Sequence, residues 1–541
     1  MARIPETIEL VLGLDEADDD AALKRHVART LGVAVADVPC ARIARRVIDA
    51  RKGRVRVSLV VATTPPPQKE DLGLPLPVAV TGAPRVIVVG DGPAGLFCAY
   101  ELARKGIASI VVDRGKTVNP RRVDLRNLNR PYIGVVDEDS NYCFGEGGAG
   151  TYSDGKLYTR ATKRGDVRDV LETLARHDAP VDILTDARPH IGSNLLPKVV
   201  TAMRERLQEC GVRFLFGTRV TGLVVKDDKR GRRIAGVKVA STSTGDEADR
   251  GHDGEIAADV VVLATGHSAR DVYRFLHDDG VRLEPKAFAL GVRIEHPQPL
   301  IDRIQYGAAA GHQKLAAASY KLAHTTDEGG VFSFCMCPGG WIVPASTDKD
   351  GLVVNGMSLK RRDSPFANSG FVASVSVEDG ARAGFHGPFG LLDLQMRIEA
   401  AAKVAGGGAL AAPAVRATDF VARKVSSTLP KTSYQPGVVG ADLWRVLDAA
   451  GVPIAHRIAG ALKVFSSSMR GYLTDDALLV GVESRTSAPV RIPRDATTLM
   501  SPDVDGLFPS GEGGGYSGGI VSAALDGINV ARAVETFLRP A

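Results

Sequence analysis

The sequence predicts an α/β fold: a three-layer, Rossmann-like domain, an inserted strand-rich α+β domain and a small N-terminal α+β domain. Three observations predict this organisation. Residues 84–113 follow the order strand, glycine turn, helix, strand; residues 491–541 return to a strand, a glycine loop and an amphipathic helix; and a proline-rich segment follows a short strand-and-helix unit. The hydrophobic content of 44% and charged content of 24% are those of a globular chain and exclude disorder as its main state.

Residues 1–80 are expected to form the N-terminal unit and its linker. ETIELVLGL alternates as a strand does, and DEADDDAALKRHVARTLG reads as a helix with an acidic first turn and Gly32 at its end. RIARRVIDARKG and RVRVSLVVAT read as two strands joined by a tight Lys-Gly turn. TTPPPQKEDLGLPLP cannot continue either kind of element, which predicts a linker and a boundary near residue 80.

The remaining chain is expected to hold two domains, one of them interrupted. Residues 81–280 and 491–541 supply the elements of a nucleotide-binding domain, whereas 281–490 are strand-rich with irregular loops. We therefore predict a discontinuous cofactor domain with a substrate domain, 281–490, inserted into it.

The strongest motif is PRVIVVGDGPAGLFCAYELARKGIASIVVD, a dinucleotide-binding fingerprint in its full βαβ context. Gly90 permits the tight turn, Gly92 lets the backbone approach a pyrophosphate, and Gly95 lets the helix pack close to the strand. The helix begins at Pro93 and Ala94, so its N-terminus faces the phosphates. Asp113 ends the second strand, where a carboxylate accepts hydrogen bonds from a ribose hydroxyl and disfavours the 2′-phosphate of NADP.

Three further segments favour FAD over NAD. VVVLATGHSA ends a strand in a small-residue turn, FGEGGAGTYSDGKL is a second glycine loop, and GLFPSGEGGGYSGGI places a carboxylate, Glu512, ahead of a glycine loop and a helix. A helix N-terminus near Gly518 and Gly519 could stabilise negative charge on a reduced flavin. The other expected FAD contacts are Arg114, Gly147, Gly148, Gly150, Val220, Thr265, Gly266, Gly511 and Ile520.

Through these motifs the chain resembles the FAD-dependent dehydrogenases of the glutathione-reductase-like flavoprotein superfamily. The resemblance covers nearly the whole chain and includes VGDGPAGLFCAYELA, SNYCFGEGGAGTYSDGKL, PHIGSN, ATGHSARD, FALGVRIEHPQ, FCMCPGG, GVESRTSAPVRI and GEGGGYSGGI. It implies a non-covalent FAD, a two-domain body and an appended N-terminal domain, and it implies no particular substrate. The chain departs from the family pattern at Cys143, where an amide is usual, and in the loop NRPYIGVVDEDS.

Four residues are candidates for chemistry beside a flavin. Lys156 follows the GEGGAG loop, which by superfamily analogy lies near the isoalloxazine; His267 could transfer protons, or instead contact the cofactor or cap the following helix. Arg293 and Arg485 could clamp a substrate carboxylate, and the alternative is ion pairing with carboxylates such as Glu295 or Glu483.

Cys335 and Cys337 leave two interpretations open. A CxC pair before a PGG turn could relay electrons through a strained, labile disulfide, or both thiols could simply pack in the interior. No metal is expected there, because no second Cys/His cluster supplies further ligands.

The composition narrows the partners. A net charge of +5 is small for 541 residues, and the arginine-rich stretch of residues 42–56 lacks nearby aromatic stacking residues, so no nucleic acid is expected. Six cysteines form no disulfide framework, and no secretion signal or long apolar run occurs, so a cytoplasmic protein without a membrane span is predicted.

The predicted function is a FAD-dependent oxidoreductase that transfers a hydride between FAD and a small organic substrate. A flavin monooxygenase or oxidase is the first alternative; the second is a non-catalytic electron carrier whose N-terminal unit binds RNA or protein. Only one dinucleotide fingerprint occurs, which favours reduction of FAD by the organic substrate, with oxygen or a partner reoxidising it, over reduction by a transiently bound NAD(P)H.

Overall fold

The computed structural model describes residues 4–16, 19–50, 55–65, 72–159, 162–229, 231–242 and 251–539. Its strands are β1 (Thr7–Leu12), β2 (Arg42–Asp49), β3 (Arg56–Ala62), β4 (Thr81–Val89), β5 (Ile107–Val112), β6 (Arg213–Leu215), β7 (Thr218–Asp228), β8 (Gly231–Ser241), β9 (Gly254–Ala257), β10 (Val260–Leu263), β11 (Glu284–Pro285), β12 (Phe288–Pro297), β13 (Ala323–Thr326), β14 (Gly329–Cys337), β15 (Gly340–Pro344), β16 (Val354–Ser358), β17 (Phe366–Val375), β18 (Ala412–Arg416), β19 (Val438–Gly440), β20 (Leu478–Glu483), β21 (Val490–Arg491) and β22 (Leu507–Pro509). Its α-helices are α1 (Asp20–Leu31), α2 (Pro93–Arg104), α3 (Val118–Leu128), α4 (Val167–Arg176), α5 (Leu196–Glu209), α6 (Arg270–Asp278), α7 (Gln298–Tyr306), α8 (Val377–Arg382), α9 (Gly390–Ala405), α10 (Ala417–Val421), α11 (Leu443–Leu447), α12 (Ile454–Ser468) and α13 (Ile520–Leu538).

The N-terminal unit is a three-stranded antiparallel sheet, in the order β1-β3-β2, covered by α1. The helix begins after Asp19, whose side chain accepts a hydrogen bond from the Ala22 N–H, and it ends at Gly32 in the left-handed region. The Lys-Gly turn predicted between β2 and β3 lies outside the described residues.

A five-stranded parallel sheet, ordered β22-β10-β4-β5-β6, forms the centre of the body. Strands β5 and β10 and the second half of β4, residues 86–89, are buried and mainly aliphatic because helices and a second sheet cover the two faces of the sheet. Helices α2 and α13 pack on one face, and the antiparallel sheet β7-β8-β9 packs with α6 on the other. The outer strand β22 comes from the C-terminal part of the chain, so segments far apart in sequence complete one sheet.

Residues 284–491 lie between β10 and β22 along the chain. They contain a seven-stranded sheet ordered β13-β14-β17-β12-β20-β18-β19. Six helices, α7 to α12, accompany it, and α9 and α12 bury apolar faces in its core. The sequence predicts strands and irregular loops in this region, and the structure adds helices to them. The apolar spacing of LLDLQMRIEAAA and IAHRIAGALKVF, which places buried residues at helical intervals, explains the two long helices.

Residues 72–80, which the sequence assigns to the linker, pack on the body. Leu72 and Leu74 are buried with the residues of α2, and the Leu74 N–H donates to Thr173 Oγ1 at 3.2 Å. The Val80 N–H donates to the Cys210 carbonyl at 2.8 Å. Two apolar side chains inside a polar, proline-rich stretch are the physical reason that this part of the segment adheres to the body.

The N-terminal unit also contacts the body through the edge of its sheet. The backbone of Arg46 in β2 forms an isolated parallel β-bridge with that of Asp186. The Arg46 N–H donates to the Thr185 carbonyl at 3.0 Å. Asp15 and Lys314 form an ion pair at 2.9 Å nearby. Within the described ranges every helix is too short or too polar to span a lipid bilayer.

Candidate flavin site and active site

The fingerprint turn contains two glycines required by the protein itself and one that is not. A Cβ atom on Gly90, whose φ is +100°, would lie 2.5 Å from the Ala264 carbonyl oxygen, and one on Gly95 would lie 1.9 Å from the Gly90 oxygen. A Cβ on Gly92 would meet only the Cα of Gly148, at 4.0 Å. Packing against other protein atoms therefore requires glycine at positions 90 and 95. The space beside Gly92, where a side chain would lie, is open.

Two helix N-termini and the second glycine loop meet beside Gly92. Helices α2 and α13 pack so closely that a Cβ on Gly527 would lie 2.0 Å from the Ala94 carbonyl oxygen. A Cβ on Gly150 would lie 3.4 Å from Pro93 Cγ and 3.5 Å from Ile520 Cγ1. The arrangement directs two sets of unpaired helix N–H groups, and their partial positive charge, toward one region.

The turn after β22 completes this region. The Gly511 N–H donates to Asp526 at 2.7 Å, and a Cβ on Gly513 would lie 2.6 Å from the Gly266 carbonyl oxygen. Glu512 stands between these glycines, with a carboxylate oxygen 3.4 Å from Nδ1 of His267. His267 thus contacts Glu512, and the helix that follows it, α6, has Ala269 as its N-cap residue.

A small cavity next to the fingerprint brings together several expected cofactor contacts. Its lining includes five of them, Gly90, Asp113, Arg114, Val220 and Thr265. The Asp113 carboxylate accepts hydrogen bonds from the backbone N–H groups of Asp91, Gly115 and Gly145 at 2.8–3.0 Å. A carboxylate has about four acceptor positions, so one remains for a ribose hydroxyl.

Arg114 is already engaged by protein groups. Its guanidinium binds Asp271 through two nitrogens, at 2.9 and 3.0 Å, and Asp139 through a third, at 2.8 Å. It also lies over the Phe144 ring, 4.6 Å from the centroid. Asp139 belongs to the unusual loop NRPYIGVVDEDS, which therefore holds two of the arginines that line this cavity, Arg114 and Arg219.

Cys143, the other departure from the family pattern, is half-buried beside the turn that follows β10. Its sulfur accepts a hydrogen bond from Ser268 Oγ at 3.4 Å. Ser268 follows the predicted contacts Thr265 and Gly266, so Cys143 helps to hold that turn.

The residues that shape the second glycine loop were not predicted. Arg121, fully buried in α3, donates to the carbonyl oxygens of Asn141, Glu146 and Gly148 at 2.7–2.9 Å. The Glu146 carboxylate in turn binds Arg204 at 2.8 Å and the Val118 N–H at 2.7 Å. No sequence pattern identifies Arg121, because an arginine in a polar helix usually faces solvent.

Lys156 lies in a cluster of charged and sulfur-bearing groups. Its ammonium nitrogen is 3.5 Å from Asp154 and 3.6 and 3.8 Å from the sulfurs of Cys335 and Cys337. Burial opposes the charge, but the two sulfurs and Asp154 outweigh it and raise the pKa of Lys156. The ammonium is therefore charged, and the side chain as a whole is 36% exposed.

Behind Lys156 stands Arg293, which is fully buried. It donates to Glu483 at 2.6 Å, to Asn368 at 2.9 Å and to the Cys335 carbonyl oxygen at 2.6 Å. Arg293 therefore forms the ion pair with Glu483 that the sequence offers as the alternative to a substrate clamp. Burial raises the pKa of Glu483 to about 7, although the charge of Arg293 acts in the opposite direction.

Arg485 occupies a different cluster. Both it and Arg270 bind the buried carboxylate of Glu399, at 2.8–3.2 Å, and both contact Asp348. Burial alone would raise the pKa of Glu399, but the two guanidinium charges lower it to about 2. The Arg485 side chain is only 4% exposed. Its charged partners are Glu399 and Asp348, so it belongs to a cluster other than that of Lys156.

A cavity of about 1260 Å³ lies between the N-terminal unit and the body. Its lining includes Arg46 of β2 and two neighbours of the Lys156 cluster, His190 and Arg362. Arg362 binds Asp154 at 2.8 Å, and His190 forms a backbone bridge with Lys156. The cavity is large enough for a small molecule and approaches the cluster from the side of the N-terminal unit.

The residues fit a bound FAD. Gly92, Gly266, Gly518 and Gly519 surround the convergence of α2 and α13, and a Cβ on each would meet no protein atom closer than 4.0 Å. Gly266 and Gly519 have φ of +71° and +146°. Open glycines at two helix N-termini make the cradle that a pyrophosphate needs, and the cavity at Asp113 continues it toward a ribose.

Family models agree with this assignment. Residues 84–124 match the model described as a FAD binding domain, and 196–331 match that of the FAD dependent oxidoreductases. Residues 287–486 match the model of the C-terminal domain of FAD-dependent proteins, and 4–64 match a domain of unknown function. The fold and the site thus define an enzyme, a FAD-dependent oxidoreductase with FAD as its cofactor.

The chain is 37% identical to an uncharacterized protein of Clostridium beijerinckii over 553 aligned residues, covering 98% of each chain. It belongs to the family of that protein.

Two solved structures show similarity at lower identity. A geranylgeranyl bacteriochlorophyll reductase-like protein of Thermoplasma acidophilum is 13% identical, with 83% of this chain and 78% of the other covered and a TM-score of 0.33. A flavoprotein/dehydrogenase of Cytophaga hutchinsonii is 11% identical, with coverages of 84% and 78% and a TM-score of 0.35.

Proposed function

We propose that this FAD-dependent oxidoreductase is a dehydrogenase, which transfers a hydride between a small organic substrate and non-covalently bound FAD. The observation that carries the proposal is the setting of Lys156. This charged lysine, with a partly exposed side chain, follows Gly150 by six residues, on the loop that packs against the fingerprint. A cation beside the cofactor suits a substrate with a carboxylate or a carbonyl oxygen that gains negative charge during the reaction.

Bound FAD supplies the hydride chemistry. Lys156 binds the substrate oxygen and orients the reacting carbon, while Asp154 and the two cysteine sulfurs hold the ammonium in place. Arg293 is a positioning residue, because its donors hold Glu483 and the Cys335 carbonyl behind that ammonium. The cavity of about 1260 Å³ provides the approach for the substrate.

We further propose a role for each domain of the chain. Residues 81–280 and 491–541 bind FAD, 281–490 supply the substrate side, and 1–80 close the approach cavity. His267 acts with Glu512 at the cofactor, and Arg485 supports the fold through Glu399.

The test is anaerobic bleaching of the yellow protein by a panel of small organic acids, aldehydes and neutral alcohols. We expect an anionic or carbonyl-bearing compound to reduce the flavin. Lys156→Met should keep its FAD and lose about 100-fold in the reduction rate, the usual effect of removing one group that stabilises developing charge.

The matched control is Lys105→Met, which removes a lysine of similar exposure, 39%, paired with Glu535 at the far end of α2. It should reduce at the wild-type rate. Equal rates in both variants would refute the role of Lys156, and oxygen consumption coupled to a hydroxylated product would replace the dehydrogenase with a monooxygenase.

A further inference from the structure

Cys335 and Cys337 lie where strand β14 is irregular. The pairing of β14 with β17 shifts register between Phe334 and Cys337, and Cys335 has a φ of +44°, in the left-handed region. Both sulfurs face Lys156, at 3.6 and 3.8 Å. A bulge with an unfavourable backbone conformation re-aims side chains, and here it turns two thiols toward one cation.

A second cation meets the same sulfurs. Arg293 Nη2 lies 3.5 Å from the sulfur of Cys337 and donates to the Cys335 carbonyl oxygen. Cationic groups within this distance stabilise a thiolate, which is the reactive form of cysteine. A hydrogen bond from Cys337, with the charges of Lys156 and Arg293, lowers the pKa of Cys335, and the same hydrogen bond raises the pKa of Cys337.

The surroundings differ from those of a cysteine that only packs. Cys98 is buried in the core of α2, where burial raises the pKa of its thiol. Cys335 is only partly buried and touches a partly exposed lysine. Because a nearby cation favours the reactive thiolate form, this setting suits thiol redox chemistry.

We propose that Cys335 and Cys337 form a redox-active dithiol that reduces small-molecule disulfides by thiol–disulfide exchange. The Cys335 thiolate attacks one sulfur of the disulfide, a new S–S bond forms, and the substrate S–S bond breaks to release a thiolate. That thiolate takes the Cys337 proton. The Cys337 sulfur then attacks Cys335, a bond forms between the two cysteines, and the second substrate thiolate leaves and takes a proton from water. The protein loses two electrons and the substrate gains two.

The one-residue spacing fits a reversible couple. A disulfide across a single residue closes a strained ring, so it forms when the small-molecule disulfide is in excess and is readily reduced again. His190 and Arg362, two neighbours of the cluster, line the large cavity, which has space for a molecule such as glutathione disulfide.

The experiment exposes the FAD-loaded protein to oxidised glutathione without oxygen, alkylates the remaining thiols and maps them by mass spectrometry. We expect a Cys335–Cys337 disulfide and two glutathione molecules released per chain. Cys337→Ser should accumulate glutathione on Cys335, whereas Cys335→Ser should react at least about tenfold more slowly.

Two further measurements keep the test decisive if a variant folds poorly. In the wild-type protein the alkylation rate of Cys335 should titrate below the usual cysteine pKa of about 8.5. Lys156→Met should lower that rate near neutral pH about tenfold, since one unit of pKa changes the thiolate fraction by this factor. Cys40→Ser, which removes a half-buried cysteine of the N-terminal unit, is the control and should change nothing.

The proposal is overturned if Cys335 stays free in excess oxidised glutathione, or if it alkylates as slowly as Cys98. It is also overturned if Lys156→Met leaves the alkylation rate unchanged. The readout is the mass of the thiols, so failure here leaves the bleaching experiment unaffected.

Discussion

At the scale of single residues, glycines in this protein have two separate origins. Gly95 is required by packing, because any side chain would collide with the backbone of the fingerprint turn. Gly92 has an ordinary φ of −72° and open space around it. Packing requires glycine at positions 90 and 95 of this turn but not at position 92. The glycine at position 92 is therefore explained by a ligand that approaches the backbone there.

This difference separates the effects of two similar substitutions. Gly92→Val should abolish FAD binding while the flavin-free protein remains as stable as flavin-free wild type, because the valine enters only the space that FAD needs. Gly95→Val should destabilise even the flavin-free protein, by about 3 kcal/mol. Bound flavin per chain and denaturant unfolding measure both effects; a flavin-loaded Gly92→Val protein would contradict the assignment.

A second prediction concerns the contribution to stability of Glu399, which binds both Arg270 and Arg485. Glu399→Gln leaves Arg270 and Arg485 without their shared carboxylate in the interior, and should lower the free energy of unfolding by about 3 kcal/mol near neutral pH. The pKa of Glu399 is lowered from 4.5 to about 2. Its contribution is therefore complete above about pH 4.5 and is lost as the pH falls through about 2.

Unfolding of both proteins near neutral pH and at about pH 3 tests this, because the gap between wild type and variant should narrow in acid. The control is Glu205→Gln, whose carboxylate is 60% exposed and 3.8 Å from its arginine partner; it should change stability by less than about 0.5 kcal/mol. A gap of constant size at both pH values would contradict the role of the Glu399 charge.

At the scale of elements, the close contact of α2 and α13 aligns two helix N-termini at the candidate flavin site. Gly527 sets this contact, since a side chain there would meet the Ala94 carbonyl oxygen. Gly460 in α12 also lies within a helix, but it is exposed, and a Cβ atom added there would have no other atom within 4 Å.

The same substitution at these glycines should therefore have opposite effects. Gly527→Ala forces α2 and α13 apart and should cost about 2 kcal/mol and part of the bound FAD. Gly460→Ala should add about 0.5–1 kcal/mol, because alanine favours a helix interior over glycine. Unfolding experiments and flavin content decide it; a stabilised Gly527→Ala protein would mean that the helices are not held by this contact.

Local patterns predict some elements and miss others for a physical reason. The βαβ fingerprint, the N-terminal strands and α13 each follow a period or a turn that neighbouring residues determine. The contact of Lys156 with Cys335 and Cys337 joins residues 179 and 181 positions apart, and no periodicity within either segment encodes it. Arg121 and Glu399 are of the same kind, since burial of a charge depends on partners that only the tertiary fold supplies.

At the scale of the whole molecule, there is one parallel sheet with a glycine-rich turn between a strand and a helix in the described ranges. That sheet holds the candidate flavin site, and the part of the chain that the structure describes has no second βαβ unit of this kind for a nicotinamide cofactor. We therefore expect NADH and NADPH to reduce the flavin more slowly than about 1 s⁻¹, the low end of ordinary turnover.

Anaerobic stopped-flow mixing with each nucleotide measures this rate. Dithionite added to a parallel sample gives the fully reduced end point, so a slow reaction is distinguished from an inaccessible flavin. Rapid bleaching by either nucleotide would show that the donor binds outside such a fold.

The parallel sheet is completed by β22, and the helix pair by α13, both contributed by residues 507–538. On the ribosome, residues 507–538 therefore have to be synthesised before a nascent chain completes the candidate flavin site. The seven-stranded sheet of residues 288–483 emerges earlier and can fold while the flavin domain still lacks its last strand and helix. A chain without residues 507–538 would present β10 as an uncovered edge, so retained FAD would mark the chains in which this edge is covered.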